Sequence, residues 1–317
     1  MVSKKFDIVG IGNSIVDIII QVDESFIKSN GLRKGFMALS DLSTVENLIK
    51  NSQIKSTISG GSVANSIVCL SQNQIKSAFI GKVSNDELGD IFIQGLNKEE
   101  VFFANASQEN DFKTGRCVIM VTDDAQRTMS TYLGISQKLN EFDINENIII
   151  NSNILYLEGY LWDLDDAQNA MKKAIKCAKE NKTKVAFSVS DVFCIERFRD
   201  SFLNLISNDI DIIFANEEEV KSLFLDDNFD NIINKVKSTG KIFAITRGAN
   251  GATIVFKDNI ENIGPEKIKN LIDTTGAGDL FAAGFLEYFI QCQDLKKCGI
   301  RGVEMASKVI QQYGARL

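Results

Sequence analysis

Asp273-Thr274-Thr275-Gly276-Ala277-Gly278-Asp279 is a glycine-rich turn that runs directly into the apolar segment Leu280-Phe281-Ala282-Ala283-Gly284-Phe285. Its small residues let the main chain approach an anion, and the first N–H groups of the helix that follows carry partial positive charge. Asp279 would lie beside that anion, where it can accept a proton from an attacking hydroxyl. The stretch therefore predicts phosphoryl transfer on an α/β fold, although an N-capped buried helix also explains this turn taken alone.

The composition narrows the chemistry that the chain can perform. The chain has 317 residues, 44% hydrophobic content, six cysteines and no histidine. The lack of histidine excludes Ser-His-Asp and Cys-His catalysis, His-ligated zinc and phosphohistidine transfer. The cysteines form no C-x-x-C pair, so we expect buried free thiols. Acid and base catalysis must then fall to carboxylates, lysine, tyrosine or cysteine.

Charge and hydropathy limit the partners. A formal net charge of −7 argues against nucleic-acid binding. No apolar segment reaches membrane-spanning length, and the stretch Met1 to Asp7 lacks the apolar core of a secretion signal. We expect a cytoplasmic protein that acts on small molecules.

Apolar strands alternate with amphipathic helices along most of the chain. This pattern predicts a doubly wound α/β fold, with a mainly parallel sheet flanked by helices. The predicted strands are Phe6 to Gly12, Ala78 to Gly81, Ile154 to Leu157, Val185 to Ser188, Ile210 to Phe214 and Ile242 to Thr246. The predicted helices are Asp165 to Asn181, Arg197 to Asn208, Asn216 to Phe224 and two more between Gly276 and Gln311.

One region interrupts this alternation. Gly115 to Thr122 and Arg127 to Tyr132 alternate in polarity around Asp123-Asp124, which predicts a hairpin. With Ile15 to Val22 and Gly35 to Ser40, the hairpin would form a small β-sheet lid. We expect residues 1–317 to form a single unit, with lid strands inserted from about 13–41 and 101–134.

Three further segments are candidate binding loops, and each has a simpler alternative. Gly10-Ile11-Gly12-Asn13-Ser14-Ile15 lacks the third glycine of a dinucleotide-binding turn, and no G-x-x-x-x-G-K-[ST] loop occurs. Asp17 could bind vicinal sugar hydroxyls or lie in a surface turn. The loop from Ser59 to Ser66 could contact a ligand through its glycines and Asn65, or could simply cap a helix.

Two strand ends offer a nucleotide and metal site. Asn216 and Glu219 are three residues apart at a predicted helix start and could organise water around Mg²⁺, although the helix dipole alone also favours acids there. The turn at Thr246-Arg247-Gly248 is either a plain hairpin or the rim of a nucleotide site.

Taken together, these segments resemble the ribokinase-like (PfkB) family of sugar and nucleoside kinases. Asp273 to Asp279 is similar to the C-terminal signature of the family, Gly60 to Ser66 falls in its N-terminal signature, and Asn216 with Glu219 matches its N-x-x-E motif. The order and spacing agree from about Phe6 to Tyr313. The resemblance implies a Rossmann-like α/β domain with a β lid.

The resemblance also implies roles for single residues. Asp279 would be the catalytic base, with Gly276, Ala277 and Gly278 as the anion hole, and Arg127 would hold the transferred phosphate. Asn216 and Glu219 would support Mg²⁺ through water. The nucleotide would contact Asn216, Thr246, Gly248, Gly276 and Gly278. Asp273 and Thr275 would belong to the monovalent-cation site of many members, so the implied cofactors are ATP and Mg²⁺, with K⁺ as an optional third.

Finer features are similar to the adenosine kinase branch of the family. They are the spacing from Gly12-Asn13 to Asp17, the Gly60-Gly61-Ser62 triplet and the segment Ser190 to Cys194. The substrate residues implied are Asn13, Asp17, Gly61, Ser62, Asn65, Tyr160 and Trp162. The last two stand where that branch carries base-stacking aromatic residues, although core aromatics are equally common there.

The expected activity is therefore phosphorylation of the 5′-hydroxyl of a nucleoside, adenosine first, by ATP with Mg²⁺. A sugar such as ribose or fructose is the alternative acceptor, and a non-catalytic nucleoside-binding regulatory protein is the alternative from another class. The edge of the lid sheet could pair with a second copy or stay unpaired, so both a monomer and a lid-mediated homodimer are compatible with the sequence.

Overall fold

The computed structural model describes residues 4–50, 52–108, 111–124 and 126–317. Residues 1–3, which belong to the segment considered above for a secretion signal, lie outside the described residues. The strands, numbered along the chain, are β1 (Phe6–Ile11), β2 (Ile15–Gln21), β3 (Met37–Leu39), β4 (Ile54–Gly60), β5 (Ser77–Ile80), β6 (Phe102–Phe103), β7 (Gly115–Val121), β8 (Arg127–Tyr132), β9 (Ser152–Glu158), β10 (Lys184–Ser188), β11 (Ile212–Asn216), β12 (Ile242–Thr246), β13 (Ala252–Phe256) and β14 (Asn259–Ile263).

The α-helices lie mostly between these strands. They are α1 (Glu24–Ser29), α2 (Leu42–Lys50), α3 (Ser62–Gln72), α4 (Glu87–Lys98), α5 (Glu146–Ile150), α6 (Asp165–Glu180), α7 (Val192–Asn208), α8 (Glu217–Phe224), α9 (Phe229–Thr239), α10 (Ala277–Gln291) and α11 (Leu295–Val309). None of the helices in the described ranges is long and apolar enough to cross a membrane.

The large sheet has the strand order β14-β13-β12-β11-β10-β9-β1-β5-β6. Neighbours from β6 to β12 pair in parallel, and β12, β13 and β14 form an antiparallel edge. Helices pack on both faces of this sheet, so its central strands are buried on both sides and read as continuous apolar runs. The predicted doubly wound α/β fold class is confirmed.

Successive side chains of a strand point to opposite faces of the sheet, so the apolar side chains divide between two cores. On β9, Tyr156 points into the core that contains α3, α10 and α11, whereas Leu155 and Leu157 point into the core that contains α6 to α9. The carboxyl ends of the parallel strands are left at one edge of the sheet, where the N-termini of α3 and α10 also lie.

The second sheet has the order β3-β8-β7-β2-β4. The predicted β7–β8 hairpin is antiparallel, and β2 and β3 pair in parallel with β7 and β8 respectively. Two details differ from the expected lid ranges. β4 joins this sheet beside β2, and β6 pairs with β5 in the large sheet. β4 was not predicted because its sequence, IKSTISG, is largely polar and half exposed.

Candidate active site

The site lies where the carboxyl edge of the large sheet meets the second sheet. Asp279 is in the first turn of α10, and Ser62 and Asn65 are in the first turn of α3. Ser62 Oγ donates to Asp279 Oδ1 at 2.6 Å, and Asn65 Nδ2 donates to Asp279 Oδ2 at 3.0 Å. Both predicted signatures therefore meet at one carboxylate.

Burial decides the charge state of this carboxylate. Burial raises the pKa of Asp279 to about 6, while the hydrogen bonds from Ser62 and Asn65 and the positive charge of Arg316 act in the opposite direction. A carboxyl whose pKa lies just below neutrality is ionised at pH 7 and still basic enough to take a proton. The arrangement suits a general base.

The turn before Asp279 has the geometry of an anion cradle. Gly276 is the N-cap of α10 with φ +77°, a conformation that favours glycine. A Cβ on Gly276 would lie 2.6 Å from Ala315 Cβ, whereas one on Gly278 would meet open space. The Ala277 N–H donates to the main-chain oxygen of Thr274 at 3.2 Å, whereas the N–H groups of Gly278 and Asp279 have no acceptor among the described residues and are available to a phosphate.

Asp17 lies on β2 of the second sheet, facing the Gly60-Gly61 loop. A Cβ on Gly60 would collide with the Asp17 carboxylate, and one on Gly61 would collide with the main-chain oxygen of Asn13. Burial raises the pKa of Asp17 to about 7, against the positive charges of Arg316 and Arg127, and the negative charge of Asp279 adds to the rise. Gly60 is thus required by close approach of the chain to a second acid, and Gly61 by close approach to the turn after β1.

Asn13, a predicted substrate ligand, is engaged by protein contacts in this structure. It is 4% exposed. Its Nδ2 donates to Glu158 Oε1 at 2.9 Å, and its Oδ1 accepts from Ser136 Oγ at 2.8 Å. Because both ends of the amide are bonded to protein, Asn13 fixes the turn after β1.

Glu158, which the sequence analysis did not select, connects the two loops of the site. Its carboxylate accepts from the main-chain N–H groups of Asn13 at 2.8 Å and Val63 at 2.9 Å. Burial raises the pKa of Glu158 to about 7, and hydrogen bonds from Asn13 and Val63 oppose the rise. An acid at the end of the apolar strand β9 was the available sequence signal, because such a group needs partners when buried.

The structure corrects the predicted role of Trp162 as a base-stacking residue. It is 2% exposed and packs edge-on against Phe202, with ring centroids 6.1 Å apart, in the core beneath the sheet. A side chain enclosed in this way cannot stack on a base. Tyr160 is only partly buried, and its hydroxyl donates to the main-chain oxygen of Ser190 at 3.2 Å. Of the two predicted aromatics, only Tyr160 is partly exposed.

Arg127 and Asp273 connect the second sheet to the glycine-rich turn. Arg127 Nη2 lies 2.8 Å from Asp273 Oδ2, and both side chains are buried. The contact is an ion pair without hydrogen-bond geometry, and within the described residues the three guanidinium nitrogens have no hydrogen-bond partner. Such a buried guanidinium is suited to receive an anion.

Asp273 is occupied by protein contacts. Its Oδ1 accepts from Thr275 N at 3.0 Å and its Oδ2 accepts from Gly314 N at 2.9 Å, in addition to the Arg127 ion pair. The carboxylate that the predicted monovalent-cation site would need is therefore engaged already. Asp273 and Thr275 do not fit a bare cation in this arrangement, because the guanidinium of Arg127 already lies beside the Asp273 carboxylate and balances its charge.

A family model described as pfkB family carbohydrate kinase matches residues 37–317. The chain belongs to the PfkB family of carbohydrate kinases. It is accordingly a kinase, a phosphotransferase that acts on hydroxyl groups, and membership of the family implies the use of ATP.

Three relatives of this PfkB kinase illustrate its similarity. A probable sugar kinase from Rhizobium etli is 36% identical with a TM-score of 0.92, covering 99% of this chain and 95% of that one. An adenosine kinase from Sinorhizobium meliloti is 35% identical with a TM-score of 0.92, covering 99% and 96%. An uncharacterized sugar kinase from Archaeoglobus fulgidus is 27% identical over 251 residues, covering 78% and 96%.

The remaining predicted residues of the PfkB kinase lie at the ends of β11 and β12. Asn216 and Thr246 are direct neighbours across these strands. Asn216 and Glu219 form a capping box, in which Glu219 accepts from Asn216 N at 2.8 Å and from Asn216 Nδ2 at 2.6 Å. Gly248, with φ +54°, is exposed beside them.

The capping box limits how these residues can hold Mg²⁺. Both carboxylate oxygens of Glu219 already accept hydrogen bonds, and burial raises the pKa of Glu219 to about 7. In the described part of the chain, no three Asp, Glu, Cys or His side chains cluster around a potential metal position. Mg²⁺ usually keeps several waters and binds the substrate phosphates, so these residues fit a role through water.

Proposed function

We propose that this PfkB kinase transfers the γ-phosphoryl group of ATP to the 5′-hydroxyl of a nucleoside, with adenosine as the first candidate. The observation that carries the proposal is the position of Asp279. Its carboxylate, with a pKa of about 6, stands at the start of α10 directly after the Gly276–Gly278 turn. A base and an anion cradle on one helical turn are what phosphoryl transfer to a hydroxyl requires.

The chemistry follows from that placement. Asp279 takes the proton of the acceptor hydroxyl as the new O–P bond forms and the bond from the γ-phosphorus to the bridging oxygen breaks, which releases ADP. The N–H groups of Gly278 and Asp279 and the guanidinium of Arg127 would stabilise the negative charge that spreads over the phosphoryl oxygens. When bound, Mg²⁺ would neutralise phosphate charge, with Asn216 and Glu219 ordering its water.

Ser62, Asn65 and Asp17 then position the acceptor. Ser62 and Asn65 hold the base from α3, and Asp17, on the second sheet, lies close enough for its charge to interact with that of Asp279. A carboxylate can accept hydrogen bonds from two adjacent hydroxyls, as on a ribose ring. Closure of the second sheet over the acceptor would exclude water, which protects the phosphoryl donor from hydrolysis.

Two observations support adenosine. The Sinorhizobium meliloti adenosine kinase is 35% identical over nearly the whole chain, and Tyr160, in the turn after β9, is partly exposed. A free sugar is the second candidate, because Trp162 is withdrawn into the core and two of the similar proteins are described as sugar kinases.

The test is ADP release from ATP and Mg²⁺ with adenosine, inosine, ribose and fructose offered separately, with Asp279→Asn as the control. Adenosine-dependent release that the variant loses is the expected result. Release with a free sugar alone would overturn the nucleoside assignment while retaining Asp279 as the base. Adenosine binding without release from any acceptor would favour a binding protein.

A further inference from the structure

Arg316 reaches into the site from the last segment of the sequence. Its Nε donates to Asn65 Oδ1 at 3.1 Å, and its Nη1 donates to Ser59 Oγ at 2.6 Å. Nη2 is buried and has no hydrogen-bond partner among the described residues. No motif of the sequence pointed to this residue, which lies 251 positions from Asn65.

The segment that carries Arg316 is held against the glycine-rich turn. Gly314 N donates to Asp273 Oδ2 at 2.9 Å. Ala315 packs on Gly276 so closely that a Cβ on the glycine would lie 2.6 Å from Ala315 Cα. The position of the guanidinium is thus fixed by the same turn that forms the anion cradle.

The chemistry of the three groups fixes the orientation of the Asn65 amide. A guanidinium only donates hydrogen bonds, so it must face Oδ1 of Asn65, and an ionised carboxylate only accepts, so Asp279 must face Nδ2. Without Arg316, the amide could turn its oxygen toward Asp279. That orientation would stabilise a protonated Asp279, which cannot act as a base.

We propose that Arg316 is a positioning residue for phosphoryl transfer, which holds Asn65 with its amide nitrogen directed at the ionised Asp279. The inference rests on the proposed role of Asp279 as the base. Arg316 touches neither the acceptor nor the phosphate in this assignment; it acts through Asn65.

The charges around Asp279 predict the direction in which its pKa changes when Arg316 is replaced. Asp17 approaches from β2, Tyr156 and Glu158 from β9, Tyr160 from the turn after β9, and Ser62 and Asn65 from α3. Arg316 is the cation whose charge lowers the pKa of Asp279. Its removal leaves the base facing acids and neutral groups, so the pKa of Asp279 should rise.

The experiment compares Arg316→Gln, Arg316→Lys and the control Arg301→Gln. Arg301 is also a partly buried arginine, but it pairs with Glu287 at 2.9 Å between α10 and α11. We expect Arg316→Gln to lower kcat by about ten- to a hundred-fold with a smaller change in KM, and to move the acid limb of the pH profile upward. Arg316→Lys should restore part of kcat, and Arg301→Gln should retain the wild-type profile.

A double-mutant cycle tests the route through Asn65. If Arg316 acts through that amide, Arg316→Gln should lower kcat by a much smaller factor in an Asn65→Ala background than in the wild type. Additive losses, or an acid limb that Arg316→Gln does not move, would overturn the proposal. Should Arg316→Gln fail to fold, the same cycle is run with Arg316→Lys, which keeps the charge but not the forked contact.

A substrate-free measurement separates this inference from the proposed function. The carboxyl carbon of Asp279 can be titrated by NMR in the free protein, with Asp279→Asn to assign the signal. Arg316→Gln should raise the midpoint even if none of the four acceptors is turned over. An unchanged midpoint would refute the positioning role whatever the substrate is.

Discussion

Ser62 and Asp279 lie 217 positions apart in the sequence, yet the hydroxyl of the first donates to the carboxylate of the second at 2.6 Å. This bond joins the first turns of α3 and α10, which pack side by side on one face of the large sheet. Ser66 Oγ adds a second link, to the main-chain oxygen of Asp279 at 2.8 Å. The two glycine-rich signatures are therefore one site.

Asp279→Asn should leave the fold intact and lower kcat by about two to four orders of magnitude, because the general base is lost. Circular dichroism and ADP release provide the two measurements. Asp279→Glu is the matched comparison, because it keeps the carboxylate but places it on a longer side chain. Full turnover by the Asn variant would show that Asp279 is not the base.

The rate should depend on pH in a direction set by the same group. Since burial raises the pKa of Asp279 to about 6 and that of nearby Asp17 to about 7, kcat/KM should rise with pH through this range as the acids lose their protons. The midpoint belongs to the pair, because the two carboxyls interact. A profile that is flat between about pH 5 and 8 would contradict the assignment.

Glu158→Gln should change the pH dependence of stability. The pKa of Glu158 is raised from 4.5 to about 7 in the folded protein. Between these values the folded state binds more protons than the unfolded state, so this carboxyl costs the wild type stability as pH rises. The variant carries no such charge. Its free energy of unfolding relative to wild type, measured by urea denaturation, should therefore increase from about pH 4.5 to 7.

At any single pH, Glu158→Gln also loses an acceptor for Asn13 or Val63, so its absolute stability is not the readout. The quantity to follow is the difference in free energy of unfolding between the variant and the wild type, measured as a function of pH. A constant offset between the two proteins would show that Glu158 has similar pKa values in the folded and unfolded states.

Gly61→Ala should be strongly destabilising, by about 2–4 kcal/mol, because φ is +101° and the added Cβ would collide with the main chain of Asn13. Gly240 is the matched control. It also has a positive φ, +66°, but an added Cβ would meet nothing within 4 Å. Gly240→Ala should lower the free energy of unfolding by only about 1 kcal/mol. Equal losses in chemical denaturation would show that the collision at Gly61 is relieved.

Tyr160→Ala should raise the KM for adenosine by about ten-fold, which corresponds to the loss of one aromatic contact. Trp162→Phe should lower the thermal midpoint through the core contact with Phe202 and leave that KM unchanged. Steady-state kinetics and thermal unfolding of both variants distinguish the roles. An unchanged KM in the Tyr160 variant would favour a free sugar over a nucleoside.

The sequence by itself determined the fold class, the hairpin β7–β8 and the segments that form the site. These features depend on local patterns: apolar runs, alternation in polarity, and glycines at helix starts. Glycine-rich turns next to an acid identified Asp279, Ser62 and Asn65, and the fold brings these three together as expected.

Only the tertiary structure decided which side chains face the cavity. Trp162 and Asn13 follow strands at the correct edge, but packing against Phe202 and Glu158 turns them into the protein. Glu158 carries only the weak signal of an acid at the end of an apolar strand, and Arg316 carries none, because their partners lie 145 and 251 positions away from them. A buried charge is defined by what surrounds it, and those surroundings exist only after the chain has folded.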